Sequence, residues 1–327
     1  MNAPATSSTP AVAATTAPAA KSRGPLLFGL FVLAMIAAPH VGAYPLFLMK
    51  VLCFALFACA FNLLIGFVGL LSFGHAMFFG FAAYVSGHAA KVWGLGMESS
   101  ILVGVAVAAV MGFVAGSIAI RRQGIYFAMV TLALSQMVFF FCLQAPFTGG
   151  EDGIQGVPRG KLLGLVDLRD DRVMYAFVAT VFFAAFYMIY RIVHSPFGQV
   201  LKAIRENEPR AVSLGYRADH YKLIAFVLSA GISGLAGAMK ALVFQLASLT
   251  DVHWSMSGEA VLMTLVGGLG TIFGPMFGAF IIVAMQNYLA QLGAWVTVVQ
   301  GVIFVVCVMA FRRGIVGEIA RRLRRPL

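Results

Sequence analysis

Charged side chains are scarce in this sequence. Of its 327 residues only 11% are charged and 61% are apolar, with a mean hydropathy of +0.93. A soluble domain has about 25% charged and about 45–50% apolar residues. This composition excludes a soluble globular protein and leaves no length for a sizeable aqueous domain.

Catalytic and metal-binding patterns are also missing. The sequence contains no HExxH, no GxSxG and no phosphate-binding loop of the form GxxxxGK[ST]. We therefore predict no catalytic residue, no metal site and no cofactor in this chain, and any ATP that drives it must be bound by partner subunits. The cysteines lie inside apolar runs without disulfide or metal-ligand spacing, and we interpret them as packing residues: Cys53, Cys59, Cys142 and Cys307.

Long apolar runs fill the rest of the sequence. Because a membrane-spanning helix needs about 20 mostly apolar residues, the runs predict an all-α polytopic membrane protein with about 8–10 transmembrane helices. Residues 1–23, rich in Ala, Thr, Ser and Pro, predict a disordered tail. The runs cover residues 25–39, 44–65, 67–90, 100–120, 124–145, 173–193, 222–247, 256–291 and 294–311.

The net charge is +11, and most of the charged residues lie between the apolar runs. They therefore indicate the topology of the chain in the membrane and not a nucleic-acid partner. Segment 191–222 carries six Lys or Arg residues against three acidic ones, so we predict that it is cytoplasmic. Counting spans from there places 146–172 in the periplasm and both termini in the cytoplasm. The predicted domains are a disordered cytoplasmic tail (1–23), a transmembrane domain (24–311) with a cytoplasmic loop (194–221), and a basic cytoplasmic tail (312–327).

Two apolar runs are interrupted by glycines. The run 256–291 is too long for one span, and the parity of the count requires a break near Gly267–Pro275. Residues 69–84 resemble residues 268–282, which indicates either an internal repeat or a chance similarity of glycine-rich sequence. Paired broken segments are typical of a translocation pathway between repeats. The candidate pathway residues are Gly74, His75, Gly80, Gly267, Gly268, Gly274 and Pro275.

A few ionisable residues fall within the runs. We expect Lys50 and Lys240 to reach the membrane surface with their long side chains, and Glu259 to open a span at the outer face. His75 is either a structural residue bonded to freed backbone or a group facing the pathway. If the protein is instead an ion-coupled secondary transporter or a channel, His75 and Glu259 are its candidate pathway groups.

The cytoplasmic segment HSPFGQVLKAIRENEPRAVSLGYRADHYK is too long for a tight turn and has Pro196 where a helix would begin. Its small and apolar residues Ala203, Ala211, Leu214 and Gly215 are predicted to form one docking surface. A short amphipathic helix lying on the membrane is the alternative.

Within this segment, FGQVLKAIRENEPRAVSLGY resembles the coupling loop of ABC-importer permeases, in which an Ala and a Gly separated by three residues dock into the ATPase. The version here is similar to that of the larger permease of the branched-chain amino-acid family. FNLLIGFVGLLSFGHAMFFGFAAYVSG, GIYFAMVTLALSQ, TGGEDGIQGVP and GGLGTIFGPMFGAF extend the resemblance over about residues 44–310. Pro209 departs from the general pattern. The coupling residues that the resemblance implies are Gly198, Ala203, Arg205, Asn207, Glu208, Ala211 and Gly215.

The resemblance implies a permease subunit of the bacterial inner membrane. Its expected partners are a homologous second permease, two ABC ATPases and a periplasmic binding protein that delivers leucine, isoleucine or valine. Similar permeases serve urea, short amides and other amino acids, which are the alternative substrates. The loop 146–172 is the expected contact for the binding protein.

Overall fold

The computed structural model describes residues 44–162, 166–290, 293, 295–310 and 314–322. The predicted N-terminal tail and the predicted span 25–39 lie outside these residues, as do positions 312–313 and 323–327 of the basic C-terminal tail. The described chain is predominantly helical, as predicted. Its helices are α1 (Pro45–Phe67), α2 (His75–Lys91), α3 (Met97–Ala119), α4 (Ile125–Gln144), α5 (Asp171–His194), α6 (Pro196–Glu206), α7 (Glu208–Ser213), α8 (Ala218–Phe244), α9 (Leu249–Val252), α10 (Trp254–Gly267), α11 (Gly274–Tyr288), α12 (Trp295–Ala310) and α13 (Gly314–Arg322).

Five of the described helices are long and apolar enough to cross a membrane: α1, α3, α4, α5 and α8. With 20 to 27 residues each, they are about 30–40 Å long, which matches a hydrocarbon core of about 30 Å. Helix α1 is the central one, because 89% of its most apolar stretch is buried, against 33% in α3 and 28% in α4. Apolar side chains such as Phe113, Met129 and Phe140 are exposed on these outer helices.

The run 67–90 is interrupted by glycines, as predicted, and the interruption lies at its start. It divides into a loop, residues 68–74, and the 17-residue helix α2. Gly69 turns the chain with φ +83°, a conformation that favours glycine. Gly74 then passes so close to α4 that a Cβ atom there would lie 2.8 Å from the Thr131 carbonyl oxygen.

The run 256–291 is broken where predicted. Helices α10 and α11 have 14 and 15 residues, so each is only about 21–22 Å long. The loop 268–273 joins them, and they pack against each other with backbone contact, since a Cβ atom on Gly278 would fall on the Met263 carbonyl oxygen. We call the segments 68–74 and 268–273 the first and second glycine loops.

The connecting loops lie at two opposite ends of the helix bundle. At one end, which we call the strand end, β1 (Ile154–Gln155) pairs antiparallel with β4 (Leu246–Ala247). Lys91 Nζ donates to the Gln155 carbonyl there, at 2.7 Å. A second antiparallel pair, β2 (Lys161–Leu162) with β3 (Val166–Asp167), belongs to the same connection between α4 and α5. The strands have only two residues each, so they tie loops together and do not form a layer.

At the other end, which we call the linker end, residues 195–217 connect α5 to α8. Gln123, in the turn between α3 and α4, donates to Glu208 at 3.2 Å. Gly314 packs against Gly268 of the second glycine loop. The loops that meet at each end are those that the count of spans places on the same side of the membrane.

The backbone contact between α10 and α11 predicts that Gly278→Ala destabilises the protein. The added methyl group must push the helices apart, at a cost of about 1–3 kcal/mol for overpacking. We expect a lower midpoint of thermal aggregation for the purified protein in detergent.

Gly258→Ala is the matched control, because Gly258 lies in α10 and a Cβ atom there meets nothing within 4 Å. Alanine favours a helix over glycine by about 0.5–1 kcal/mol, so this variant should be as stable as the parent or more so. Equal midpoints for the two variants would contradict the close packing.

Candidate functional site

The linker begins with a sharp turn out of α5. The Ser195 hydroxyl caps α6 by accepting from the Gly198 amide at 3.3 Å, and Pro196 occupies the first turn, where its missing N–H costs nothing. A Cβ atom on Gly198 would come within 2.5 Å of the Ile192 carbonyl oxygen. Gly198 is therefore needed for the close approach between the start of α6 and the end of α5.

Helix α6 is amphipathic and lies against the bundle through Leu201 and Ile204. Asn207 separates it from α7 with an extended backbone, and its side chain caps α7 by accepting from the Arg210 amide at 3.0 Å. Ala211 of α7 packs against Ile204 and against Ala218 at the start of α8. The two short helices thus form one folded unit.

The end of α7 is a Schellman motif. Tyr216 N–H donates to the Ala211 carbonyl at 3.2 Å, and Gly215 N–H donates to the Val212 carbonyl at 2.9 Å. Gly215 has φ +91°, the left-handed conformation that this motif requires at the residue after the cap. The spacing of Ala211 and Gly215 is therefore the spacing between the first carbonyl acceptor and the left-handed glycine of the motif.

The surface of the linker differs from the prediction in one residue. Ala203, Leu214 and Gly215 are exposed, but Ala211 is 97% buried, with a relative exposure of 3%. Ala211 faces the interior of the linker. Its carbonyl accepts the Tyr216 N–H, and its methyl group packs against Ile204 and Ala218. The exposed apolar side chains around the turn are Val212, Leu214 and Tyr216, with relative exposures of 53%, 71% and 41%. Val212 and Tyr216 were missed because the short sequence pattern marks only its Ala and Gly.

Glu208 fastens the linker to the bundle. Its carboxylate pairs with Lys222 Nζ of α8 and accepts from Gln123 Nε2 between α3 and α4. Lys222 is nearly buried, at 4% side-chain exposure, so its charge needs this partner. Glu208 is one of the predicted coupling residues, whereas Gln123 and Lys222 carry no signal in the local sequence.

Arg205 reaches from α6 to both glycine loops. Its Nη1 donates to the carbonyl of Gly66 in the last turn of α1. A Cβ atom on Gly69 would lie 3.1 Å from Arg205 Cγ, and one on Gly270 would lie 3.2 Å from Arg205 Nη1. One turn away, Lys202 Nζ lies 5.8 Å from the centre of the Phe67 ring.

Asn62 joins α1 to the second glycine loop. Its Nδ2 donates to the Thr271 carbonyl at 2.8 Å, and its Oδ1 accepts from the Gly270 amide at 3.1 Å. The side chain thereby satisfies two backbone groups that the broken helix leaves without partners. Sequence reasoning missed Asn62, and the available signal was a single Asn in the apolar run FNLLIGF.

The two glycine loops share two local features. The first contains one glycine with positive φ, Gly69 at +83°, and the second contains two, Gly268 at +128° and Gly270 at +73°. The Ser72 hydroxyl accepts from the Gly74 amide at 3.2 Å, and the Thr271 hydroxyl accepts from the Gly274 amide at 3.1 Å. The donor lies two residues after Ser72 but three residues after Thr271, so the loops are similar and not identical, and the internal repeat stays a prediction.

The candidate pathway residues are spread over three places. Gly267, Gly268, Gly274 and Pro275 meet at the second glycine loop, where a Cβ atom on Gly274 would lie 2.7 Å from the Gly268 carbonyl oxygen. Gly74 and His75 follow the first glycine loop. Gly80 lies apart from both, against α9, because a Cβ atom there would lie 2.6 Å from the Val252 amide nitrogen. Their role in a pathway stays a prediction.

His75 is fully buried in an aromatic cage. Its ring makes edge-on contacts with Phe61, Phe78 and Phe226, at centroid distances of 5.1–5.9 Å. Its Nε2 lies 2.8 Å from the Ser229 hydroxyl, which itself donates to the Ala60 carbonyl at 2.6 Å. Because that hydroxyl donates its proton to Ala60, Nε2 is the donor in the bond to Ser229. The arrangement favours the structural interpretation of His75.

Two expectations for ionisable residues are wrong. Lys240 does not extend to the surface but pairs with buried Asp251 at 2.6 Å, and Ser248 adds hydrogen bonds at 3.1 and 3.2 Å to the same carboxylate oxygen. Because Asp251 supplies an opposite charge inside the bundle, the Lys240 ammonium group does not need to reach water.

Glu259 does not open a span, because α10 already begins at Trp254 with His253 as its cap. Lys50 is half-buried, and its Nζ lies 6.0 Å from the centre of the Phe54 ring.

The remaining candidates for chemistry form no site. Cys53, Cys59 and Cys142 are free and buried, which agrees with a packing role, whereas the side chain of Cys307 lies outside the described part. Within the described ranges, no group of three or more His, Cys, Asp or Glu residues could hold a metal ion. The features that stand out are therefore the linker and the two glycine loops.

Spanning helices, broken helices and a folded linker at one end define a multi-pass membrane permease. Residues 43–308 match the family described as the branched-chain amino acid transport system permease component. The chain belongs to this family, whose members are transport subunits and not enzymes. No solved structure matches the chain.

Individual relatives agree with the family. The chain is 26% identical over 263 residues to the high-affinity branched-chain amino acid transport system permease protein LivM of Escherichia coli, a match that covers 73% of this chain and 62% of that relative. It is 28% identical over 196 residues to a probable LivM of Methanocaldococcus jannaschii, covering 57% of this chain and 55% of the relative. It is also 29% identical over 138 residues to the ribose import permease protein RbsC of Bacillus subtilis, covering 39% and 43%.

Proposed function

We propose that this chain is a permease subunit of an ABC importer that carries branched-chain amino acids across the bacterial inner membrane. The observation that carries the proposal is the linker, a rigid unit of two short helices that presents Val212, Leu214 and Tyr216 to solvent. The family and the LivM relatives support leucine, isoleucine and valine as substrates. Other amino acids, urea and short amides are the alternative substrates.

The proposed partners follow from what the chain contains. Two ABC ATPases bind and hydrolyse ATP, because this sequence has no phosphate-binding loop of its own. They dock on the linker of this chain and of a homologous second permease. A periplasmic binding protein delivers the substrate to the strand end. There, Arg159 holds the connection to the bundle through Asp171 at 2.6 Å and the Val243 carbonyl at 2.7 Å.

The proposed orientation places the linker end and both termini in the cytoplasm. It is supported by the basic residues of the linker and by Arg121 and Arg122, which lie in the neighbouring turn. The strand end, with residues 146–172, then lies in the periplasm.

Cysteine labelling tests this orientation. Ser213→Cys and Glu151→Cys introduce thiols at exposed positions of opposite ends. In intact cells, a membrane-impermeant maleimide should label the second variant and reach the first only after the membrane is opened. Labelling of both positions in intact cells would contradict the orientation.

Purification and uptake test the function itself. The tagged chain, purified in mild detergent from its native membrane, should retain a second permease and ATPases identifiable by mass spectrometry. Vesicles containing this complex and its binding protein should take up radioactive leucine only when ATP is supplied, and excess unlabelled valine should compete.

The other outcomes are distinct. ATP-dependent uptake that urea or a short amide competes for, and valine does not, would replace the substrate and keep the importer. Recovery of the chain alone, with leucine uptake that an ionophore abolishes, would contradict the importer and favour a secondary transporter.

Gly215→Asn tests the docking surface. Asn tolerates left-handed backbone better than other residues with a side chain, so it adds bulk above the turn with little strain. A Cβ atom at Gly215 meets nothing within 4 Å among the described residues, so we attribute a loss of uptake to a clash with a partner. We expect about a tenfold fall in ATP-driven uptake, equivalent to about 1.4 kcal/mol, with unchanged amounts of the chain in the membrane.

Gly94→Asn is the matched control. Gly94 also has a positive φ, +63°, and open space around it, but it lies in the connection between α2 and α3, away from the linker. This variant should keep uptake within twofold of the parent. An equal loss in both variants would show backbone strain and not docking.

A further inference from the structure

We propose that Arg205 is the positioning residue that transmits movement of the linker to both glycine loops, so that ATP hydrolysis on the partners changes the spacing of the two broken helices. The inference rests on the proposed importer function, which supplies the movement. It assigns to one side chain the connection between the docking unit and the broken segments of the membrane domain.

The first support is the position of the guanidinium at the end of α1. The Gly66 carbonyl belongs to the last turn of that helix, and the amides of Val68, Gly69 and Leu70 all turn back to the Leu64 carbonyl instead. Gly66 is thus left with an unpaired helix-terminal carbonyl, and Arg205 supplies its hydrogen bond. A cation is also favoured at a helix C-terminus by the helix dipole.

The second support is that the second glycine loop lies beside the same side chain. Helix α10 ends at Gly267, and a Cβ atom on Gly270, three residues further, would lie 3.2 Å from Arg205 Nη1 and 3.2 Å from the Gly66 carbonyl oxygen. Arg205 therefore contacts the second loop at the point where that loop meets the last turn of α1.

The third support is that the end of α1, from which the first loop starts, contacts the second loop where Arg205 touches both. A Cβ atom on Gly66 would lie 2.9 Å from the Gly270 amide nitrogen, so the last turn of α1 is in backbone contact with the second loop. Asn62 bonds the second loop to α1 beside this contact. The first loop leads into α2 and the second into α11, so a change in their spacing moves both following helices.

The fourth support is the mounting of Arg205 on the docking unit. It lies in the last turn of α6, next to Asn207, which begins α7. As a whole residue it is exposed, so its far side is within reach of a docked partner. Movement of α6 and α7 relative to the bundle must therefore stretch or break the bond to Gly66.

The decisive experiment measures transport and ATP hydrolysis in the same vesicles. Arg205→Ala, Arg205→Lys and the control Arg191→Ala are each assembled with the partner subunits. Arg191 is an exposed arginine in the last turn of α5, at the same end of the bundle. Leucine taken up per ATP hydrolysed is the readout, because a chain that is merely less stable lowers both rates in proportion and leaves this ratio unchanged.

We expect Arg205→Ala to keep at least half of the ATP hydrolysis and to lower the ratio at least fivefold. Arg205→Lys should lie between it and the parent, since an ammonium group keeps the charge but not the planar fork. Arg191→Ala should match the parent. A ratio within twofold of the parent for Arg205→Ala, or loss of the ATPases from the complex, would overturn the proposal.

A second measurement needs no partner and separates this proposal from the importer function. Leu269, in the second glycine loop, has a relative exposure of 37%. The thiol of Leu269→Cys should react with a maleimide at least threefold faster when combined with Arg205→Ala, and at the parent rate with Arg191→Ala. If the parent complex shows no ATP-driven uptake, the importer function fails. An unchanged thiol rate would separately overturn the role of Arg205.

Discussion

Breaking a helix inside a membrane leaves backbone amides and carbonyls without partners, and lipid offers them none. The structure depends on how this chain meets that constraint. At both breaks a hydroxyl, from Ser72 or Thr271, bonds the amide that starts the next helix. Asn62 and Arg205, which come from other parts of the chain, satisfy further groups. Specific side-chain hydrogen bonds therefore stabilise the two breaks.

Close backbone contact is the second requirement of such breaks. Helices α10 and α11 are too short to reach across the hydrocarbon core alone, and glycines let them pack as one hairpin against the rest of the bundle. The second glycine loop, which follows α10, contacts the last turn of α1, and Arg205 of the linker lies against both. In this way local backbone chemistry connects the membrane domain to the linker.

The linker shows why a short sequence pattern has a fixed spacing. Ala211 accepts the hydrogen bond that closes α7, and Gly215 takes the left-handed conformation that reverses the chain. Their separation is set by the geometry of the Schellman motif. The small Ala permits contact with α6 and α8, while the side chains between and beyond the two residues face solvent. The pattern therefore marks the frame of the turn, and the exposed apolar residues around it form the surface that we propose as the docking site.

The sequence by itself determined the class of protein, most of the helices and the break in the run 256–291, because hydropathy, basic loops and glycine clusters act over short stretches of chain. It also located the linker and its family. Only the tertiary structure decided that His75 lies in an aromatic cage, that Lys240 pairs with Asp251, that Ala211 is buried and that Arg205 and Asn62 hold the glycine loops. The physical reason is that each of these depends on which residues meet across the bundle. Asn62 and Thr271 lie more than 200 positions apart, and no local pattern records that they touch.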